Sequence, residues 1–187
     1  RKRMALALAA LAISSLYAFA GYQNSQYLAG EGRKLFEAEG FKPVIVRATP
    51  TMFNIKIFRV VGKDDQGDFM VTYLKRNGHT ALTEIEKVES AKGELVQKAL
   101  NHETGKLFDW FSMYMLSPRI KKNEDKTTIV SLNDMRYGFM SDQTESLFVA
   151  DAFFDASGNL IRFERNRGRG KRNIKQELKR MAEEYFD

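Results

Sequence analysis

Residues 4–22 read MALALAALAISSLYAFAGY, a run of 19 residues with no charged side chain and no proline. As a helix rising about 1.5 Å per residue, this run would span roughly 28 Å, which is close to the thickness of a bilayer's hydrocarbon core. Tyr17, Phe19 and Tyr22 cluster near its far end, as aromatic side chains do at a membrane interface. The sequence therefore predicts a transmembrane helix over residues 1–22.

Two alternatives compete with a membrane span. Residues 1–3, which read RKR, could be the basic region of a signal peptide, with Ala18-Phe19-Ala20 as its cleavage site. The run could also be a buried helix of a soluble protein. The chain opens on Arg1 rather than Met, so we expect it to be a piece of a longer protein. The basic residues at the start predict that this end is cytoplasmic and that the domain after Tyr22 lies outside the inner membrane.

The remaining residues are enough for one soluble domain of ordinary size. A hydrophobic content of 43% supports a packed core rather than disorder. The chain has no cysteine, which excludes disulfides, zinc–thiolate sites and thiol nucleophiles.

The pattern after Tyr22 predicts an α+β fold: a helical connector over residues 23–42, ending near Gly40, and then one mainly antiparallel sheet domain with a few helices over residues 43–187. We find no internal repeat and no second domain. The predicted strands are Val44–Val46, Asn54–Val61, Asp68–Leu74, Thr80–Val88, Lys126–Leu132, Arg136–Met140, Ser146–Phe154 and Leu160–Arg165. The predicted helices are Glu94–Asn101 and Asn173–Phe186, while Lys106–Met115 is expected to begin as a helix and end as a strand. Turns are predicted at Asp64–Gly67, Asn77-Gly78 and Asp155–Asn159.

The net charge of +6 is concentrated near the C-terminus. Between Arg162 and Arg180 there are nine basic residues and two acidic ones. This basic tail could be an ordinary solvated helix face, could contact anionic lipid headgroups, or could bind nucleic acid. Nucleic acid is the least favoured of the three, because the domain is expected outside the cytoplasm.

Motifs for common chemistries are missing from the sequence. It contains no P-loop, no GxSxG and no GxGxxG. His79 and His102 lack the spacing of a zinc pair, so we interpret both as surface or turn histidines. The acidic residues of Asp64–Asp68 do not follow the EF-hand pattern and favour a hairpin turn.

Four charged residues could form a buried cluster: Asp134, Arg136, Asp109 and Glu145. Asp134 and Arg136 are two residues apart and would share one face of a strand. A structural ion pair is the favoured interpretation, and a catalytic carboxylate is the alternative. The sequence assigns no catalytic, cofactor-binding or metal-binding residue.

Three segments together resemble a known family. Residues 48–54, reading ATPTMFN, lead into Phe58-Arg59-Val60-Val61. This block resembles the "P-T-P-x-N…W/F-R-V-V" block of the prokaryotic membrane-bound metal-dependent hydrolase family. Residues 108–112 (FDWFS) and residues 134–138 (DMRYG) are similar to further segments of that family, the latter to its "D-L-R-Y/F-G". The resemblance covers Met4 to about Phe163.

The resemblance implies a polytopic inner-membrane protein in which this chain is the last span and an accessory domain. The family's proposed metal ligands are His and Asp residues in the N-terminal spans, so a divalent metal is expected only upstream of this chain. The alternatives are a membrane-anchored binding module and a secreted binding protein, both without enzymatic activity. Within the matched block, we expect Arg59 to pair with Asp134 or Asp109 across the sheet.

Overall fold

The computed structural model describes residues 2–51, 56–76, 81–123, 126–166 and 179. Its first element, helix α1, runs without a break from Lys2 to Ala38. The N-terminal half is exposed on all sides, whereas Asn24, Leu28, Gly32 and Phe36 form one buried face farther on. These four residues recur every four positions, so they lie on one side of the helix. The predicted connector is thus a continuation of the predicted transmembrane helix, and burial is what distinguishes the two parts.

The end of α1 agrees with the sequence prediction. Gly40 adopts a φ of 79°, in the left-handed region that glycine enters readily. The Phe41 N–H donates to the carbonyl of Phe36 at 2.9 Å, which closes the last turn.

Sheet A is the first of two four-stranded antiparallel sheets, and its strands pair in chain order. The strands are β1 (Ile45–Pro50), β2 (Ile57–Lys63), β3 (Phe69–Lys75) and β4 (Glu86–Val88). The predicted turn at Asp64–Gly67 joins β2 to β3, and the Asp64 N–H donates to the carbonyl of Asp68 at 3.0 Å. The long strand predicted over Thr80–Val88 is reduced to β4 and an isolated bridge at Ala81.

Sheet B forms the second half of the molecule, again with its strands paired in chain order. It follows two helices, α2 (Glu94–Asn101) and α3 (Glu103–Phe111). Its strands are β5 (Leu116–Lys122), β6 (Thr128–Asp134), β7 (Val149–Phe154) and β8 (Leu160–Asn166). In each half of the molecule, helical structure comes first and a four-stranded antiparallel meander follows. The two halves therefore share a topology, although the sequence shows no internal repeat.

Two local predictions are wrong. Lys106–Met115 does not end as a strand: α3 ends at Phe111, and Met113 and Tyr114 take positive φ values of 53° and 66° in a tight turn. Arg136–Met140 is not a strand either, since its one ladder contact is a bridge from Gly138 to Ser146. The segment lies against sheet A instead of extending sheet B, and the carbonyl of the preceding residue, Met135, accepts a hydrogen bond from Arg59 of β2.

Sheet A is covered on both faces, which explains why six consecutive residues of β2 are buried. Phe58 and Val60 pack with Leu28 and Phe36 of α1. On the opposite face, Val61 packs with side chains from the second half of the molecule, Met115 and Met135 among them. Sheet B packs against α2 through Val96 and Ala99.

The predicted α+β class, with one long apolar N-terminal helix and antiparallel strands, is confirmed. The strands divide between two sheets where the sequence suggested one. The predicted basic helix Asn173–Phe186 lies outside the described residues, apart from Lys179, which is helical.

Candidate functional site

A cavity of about 210 Å³ lies between sheet A and the segment that follows β6. Its lining includes Pro50, Thr51, Arg59, Arg136, Tyr137 and Gly138. These residues belong to two of the segments that resemble the hydrolase family, although more than 70 positions separate them in the chain. We call this space the arginine cavity.

Arg59 is the buried charge of the arginine cavity, with 2% of its surface exposed. Its Nε donates to the carbonyl of Met135 at 2.9 Å, and Nη2 donates to the carbonyl of Gln143 at 2.7 Å. Its Nη1 donates to the Tyr73 hydroxyl at 3.0 Å, and the guanidinium also lies 5.5 Å from the centre of the Tyr73 ring. All three hydrogen-bond acceptors are neutral.

The expected pairing of Arg59 with Asp134 or Asp109 is wrong. Asp134 pairs with Arg136: Nη2 donates to Oδ2 at 2.7 Å and Nε donates to Oδ1 at 3.0 Å. The reason is local, because β6 ends at Asp134 and the next residues turn back over its carboxylate. The expected structural ion pair between Asp134 and Arg136 is therefore confirmed.

The other two members of the expected charged cluster lie elsewhere. Glu145 pairs with Arg119 at 3.5 Å. Asp109 is on α3 near Lys63, whose Nζ donates to the carbonyl of Tyr114 at 2.8 Å. Burial raises the pKa of Asp109, and the positive charge of Lys63 opposes that rise. Burial likewise lowers the pKa of Lys63, against the attraction of Asp109 and Asp64.

Gly138 allows the backbone to approach the Arg59 guanidinium closely. A Cβ at this position would lie 2.5 Å from Nη1 of Arg59 and 2.5 Å from the carbonyl oxygen of Glu145. Any larger residue would have to displace main chain as well as the arginine. Gly138 thus belongs to the wall of the cavity, a role that its place in a predicted strand did not indicate.

The arginine cavity lies at the end of sheet A where the exposed half of α1 emerges. Near that end, Ser25 of α1 donates to the carbonyl of Ala48 at 2.6 Å, and Asn24 accepts a hydrogen bond from Arg76. Phe36, which lies farther along the buried face of α1, packs on Gly62 toward the other end of β2. Because Arg59 pairs with Thr49, the cavity lies toward the Asn24 end of sheet A, on the face opposite to α1.

α1 is a candidate membrane span by length and composition. An 18-residue window has a mean hydropathy of 1.9, and none of it is buried. A signal sequence would meet the same criteria, so the cleaved-signal alternative stays open.

The described histidine has a structural role. His102 caps α3, with Nδ1 accepting a hydrogen bond from the Thr104 N–H at 3.2 Å. Its ring stacks on Phe163 at a centroid distance of 4.9 Å. This geometry agrees with our interpretation of His102 as a surface histidine, whereas His79 lies outside the described residues.

An apolar groove of about 520 Å³ runs between α3 and the β7–β8 hairpin. Leu107 and Trp110 of α3 line it, with 64% and 66% of their surfaces exposed. The groove contains Phe108 and Phe111 of residues 108–112, the remaining segment that resembles the hydrolase family. It is separate from the arginine cavity.

Within residues 2–51, 56–76, 81–123 and 126–166, no group of three His, Asp or Glu side chains could hold a metal ion. Comparison of the chain with protein-family models, with curated proteins and with solved structures finds no match.

Proposed function

We propose that this chain is the membrane-tethered accessory domain of a metal-dependent hydrolase. The observation that supports this proposal is the convergence of Pro50, Thr51, Arg59 and Arg136–Gly138 on one cavity. Segments that serve only local turns would have no reason to meet in space. Two sequence motifs that line one cavity can contribute to a single binding site, as expected of motifs that belong to one functional unit.

In this proposal α1 is the tether and the lipid bilayer is its partner. The exposed N-terminal half would cross the inner membrane with its basic end in the cytoplasm. The domain would then face the outside, where the basic tail after Arg162 could approach anionic headgroups. Nucleic acid would not be a partner.

Catalysis would belong to His and Asp residues in spans upstream of this chain, together with a divalent metal held there. No residue of this chain is assigned a catalytic role. The domain would supply position and contacts at the membrane surface.

A second candidate is a membrane-anchored binding module with no enzymatic activity. A cavity that contains a buried charge favours it, because such a cavity can hold a ligand without any catalytic group.

The decisive experiment compares the complete gene product with this 187-residue chain, both purified in detergent. Bound metal would be measured by mass spectrometry, and phosphoesterase and esterase activities with chromogenic substrates. We expect metal and activity only in the complete product. Metal or activity in the short chain would contradict the accessory role, and neither in both would favour the binding module.

A further inference from the structure

Among the described residues, no carboxylate pairs with Arg59. Taking an arginine out of water costs several kcal/mol unless a counter-charge or good hydrogen bonds compensate. The partners of Arg59 are two carbonyls and one phenol, none of which carries charge. Arg136, the other cavity arginine, is already neutralised by Asp134. The described lining of the cavity, counted together with Asp134, therefore carries one net positive charge.

Arg59 also has donors to spare. A guanidinium has five N–H groups, and Arg59 uses one on each of its three nitrogens. Among the described residues, one N–H on Nη1 and one on Nη2 have no acceptor. The planar fork of a guanidinium suits two oxygens of one anion.

The cavity has the dimensions for a small ligand. A volume of about 210 Å³ exceeds that of a water molecule, about 30 Å³, several times over. It is smaller than the range of about 300–1,000 Å³ that is usual for drug-sized ligands. The space suits one tetrahedral or planar oxyanion with little attached to it.

We infer that the arginine cavity is a binding site for a phosphate-like oxyanion, held by the unused N–H groups of the Arg59 guanidinium. The anion would neutralise the buried charge and accept the two unused hydrogen bonds. The site would exist in either of the functions proposed above, since it depends on Arg59 and the cavity alone. The phosphoryl group could be free in solution or could belong to a lipid headgroup, because the cavity lies at the end of sheet A nearest the tether.

The test uses the full 187-residue chain in detergent, followed by circular dichroism during heating. A ligand that binds the folded state raises the unfolding temperature with its concentration. We expect inorganic phosphate to raise it beyond the effect of sodium chloride at equal ionic strength. Arg59→Gln should weaken the apparent phosphate affinity by at least about tenfold. Arg162→Gln is the matched control, because Arg162 is exposed and does not line the cavity, and it should retain the full response.

Leu147→Phe serves as a second variant in case Arg59→Gln does not fold. Leu147 lines the cavity, so the larger ring would fill it while leaving Arg59 in place. Loss of the phosphate response in this variant is expected. The inference is overturned if phosphate has no specific effect on the wild type, or if the response survives in a folded Arg59→Gln or Leu147→Phe protein.

Nanodiscs distinguish the two sources of phosphate. The protein would be placed in phosphatidylcholine alone or in phosphatidylcholine with phosphatidic acid. If the lipid headgroup occupies the site, phosphatidic acid should abolish the response to free phosphate in the wild type. If a soluble anion occupies it, the response should be equal in both membranes. Both results support the site, and neither depends on a hydrolase assay.

Discussion

Asp134 is fully buried and gives both carboxylate oxygens to Arg136. We predict that Asp134→Ala lowers the free energy of unfolding by about 3–5 kcal/mol, because the mutation leaves a buried charge without its partner. Urea denaturation in detergent measures this loss. Glu164→Ala provides a matched control: Glu164 and Arg162 are also two residues apart, but both are about half exposed. The control should cost less than about 1 kcal/mol, and equal losses in the two variants would refute the argument.

The pH dependence of stability should reflect Asp109. Its pKa is raised by burial, so the folded state holds this proton more tightly than the unfolded state does. Stability from this group is therefore greatest at low pH and falls as the pH rises from about 4 through the raised pKa. We expect Asp109→Asn to gain stability relative to the wild type across that interval. Unfolding curves at several pH values measure the difference, and a constant difference would contradict the prediction.

Residue pairs were predictable only where they are local. The Asp134–Arg136 pair follows from a spacing of two and was expected. Two partners of Arg59 lie 76 and 84 positions away along the chain, and both are main-chain carbonyls. Every residue has a carbonyl, so no residue type in the sequence marks these acceptors.

At the scale of elements, the contact between α1 and β2 depends on Gly32. A Cβ there would lie 2.3 Å from Cγ1 of Val60. We predict that Gly32→Ala destabilises the protein by about 1–3 kcal/mol through overpacking. Gly30→Ala is the control in the same helix, since a Cβ at Gly30 meets nothing within 4 Å.

The control variant should be stabilised by about 0.5–1 kcal/mol, because alanine favours helix more than glycine does. Thermal unfolding of both variants in detergent would show opposite shifts. Shifts of the same sign would mean that α1 does not pack on β2 through Gly32.

Elements with a clear period were the easiest to predict. Helix α2 has the bounds expected from its apolar stripe, Glu94–Asn101. Strand β5 was missed because it contains Pro118 and ends in Lys121 and Lys122, which obscure any alternation. The structure explains the proline: β5 is an edge strand of sheet B, where a missing N–H can be tolerated.

At the scale of the molecule, the two parts of α1 should be separable. Deleting residues 2–22 should release the protein from membranes while leaving it folded, because none of those residues is buried. Deleting residues 2–38 also removes Leu28 and Phe36, at a cost on the order of 5–10 kcal/mol, comparable to the whole stability of a domain. Membrane sedimentation and circular dichroism would check both deletions. A folded protein without residues 2–38 would show that α1 is not part of the core.

The division into two sheets was beyond the reach of the sequence. Antiparallel neighbours in chain order predict which strands pair, and they do pair that way in both halves. Nothing in the strand pattern marks where one sheet ends and the next begins, because β4 is only three residues long and the break is filled by α2 and α3. The arginine cavity depends on how the halves pack, and so it could not be located in advance.

The unbroken passage of α1 from its exposed half into the core has a mechanical consequence. If the exposed half crosses a bilayer, a continuous helix and not a flexible linker connects the domain to the membrane. Ala20 and Asn24 are only about 6 Å apart along the axis of this helix. The helix therefore fixes both the distance of the cavity from the membrane surface and its orientation about the helix axis. A force on the domain would then change the tilt of α1 within the membrane.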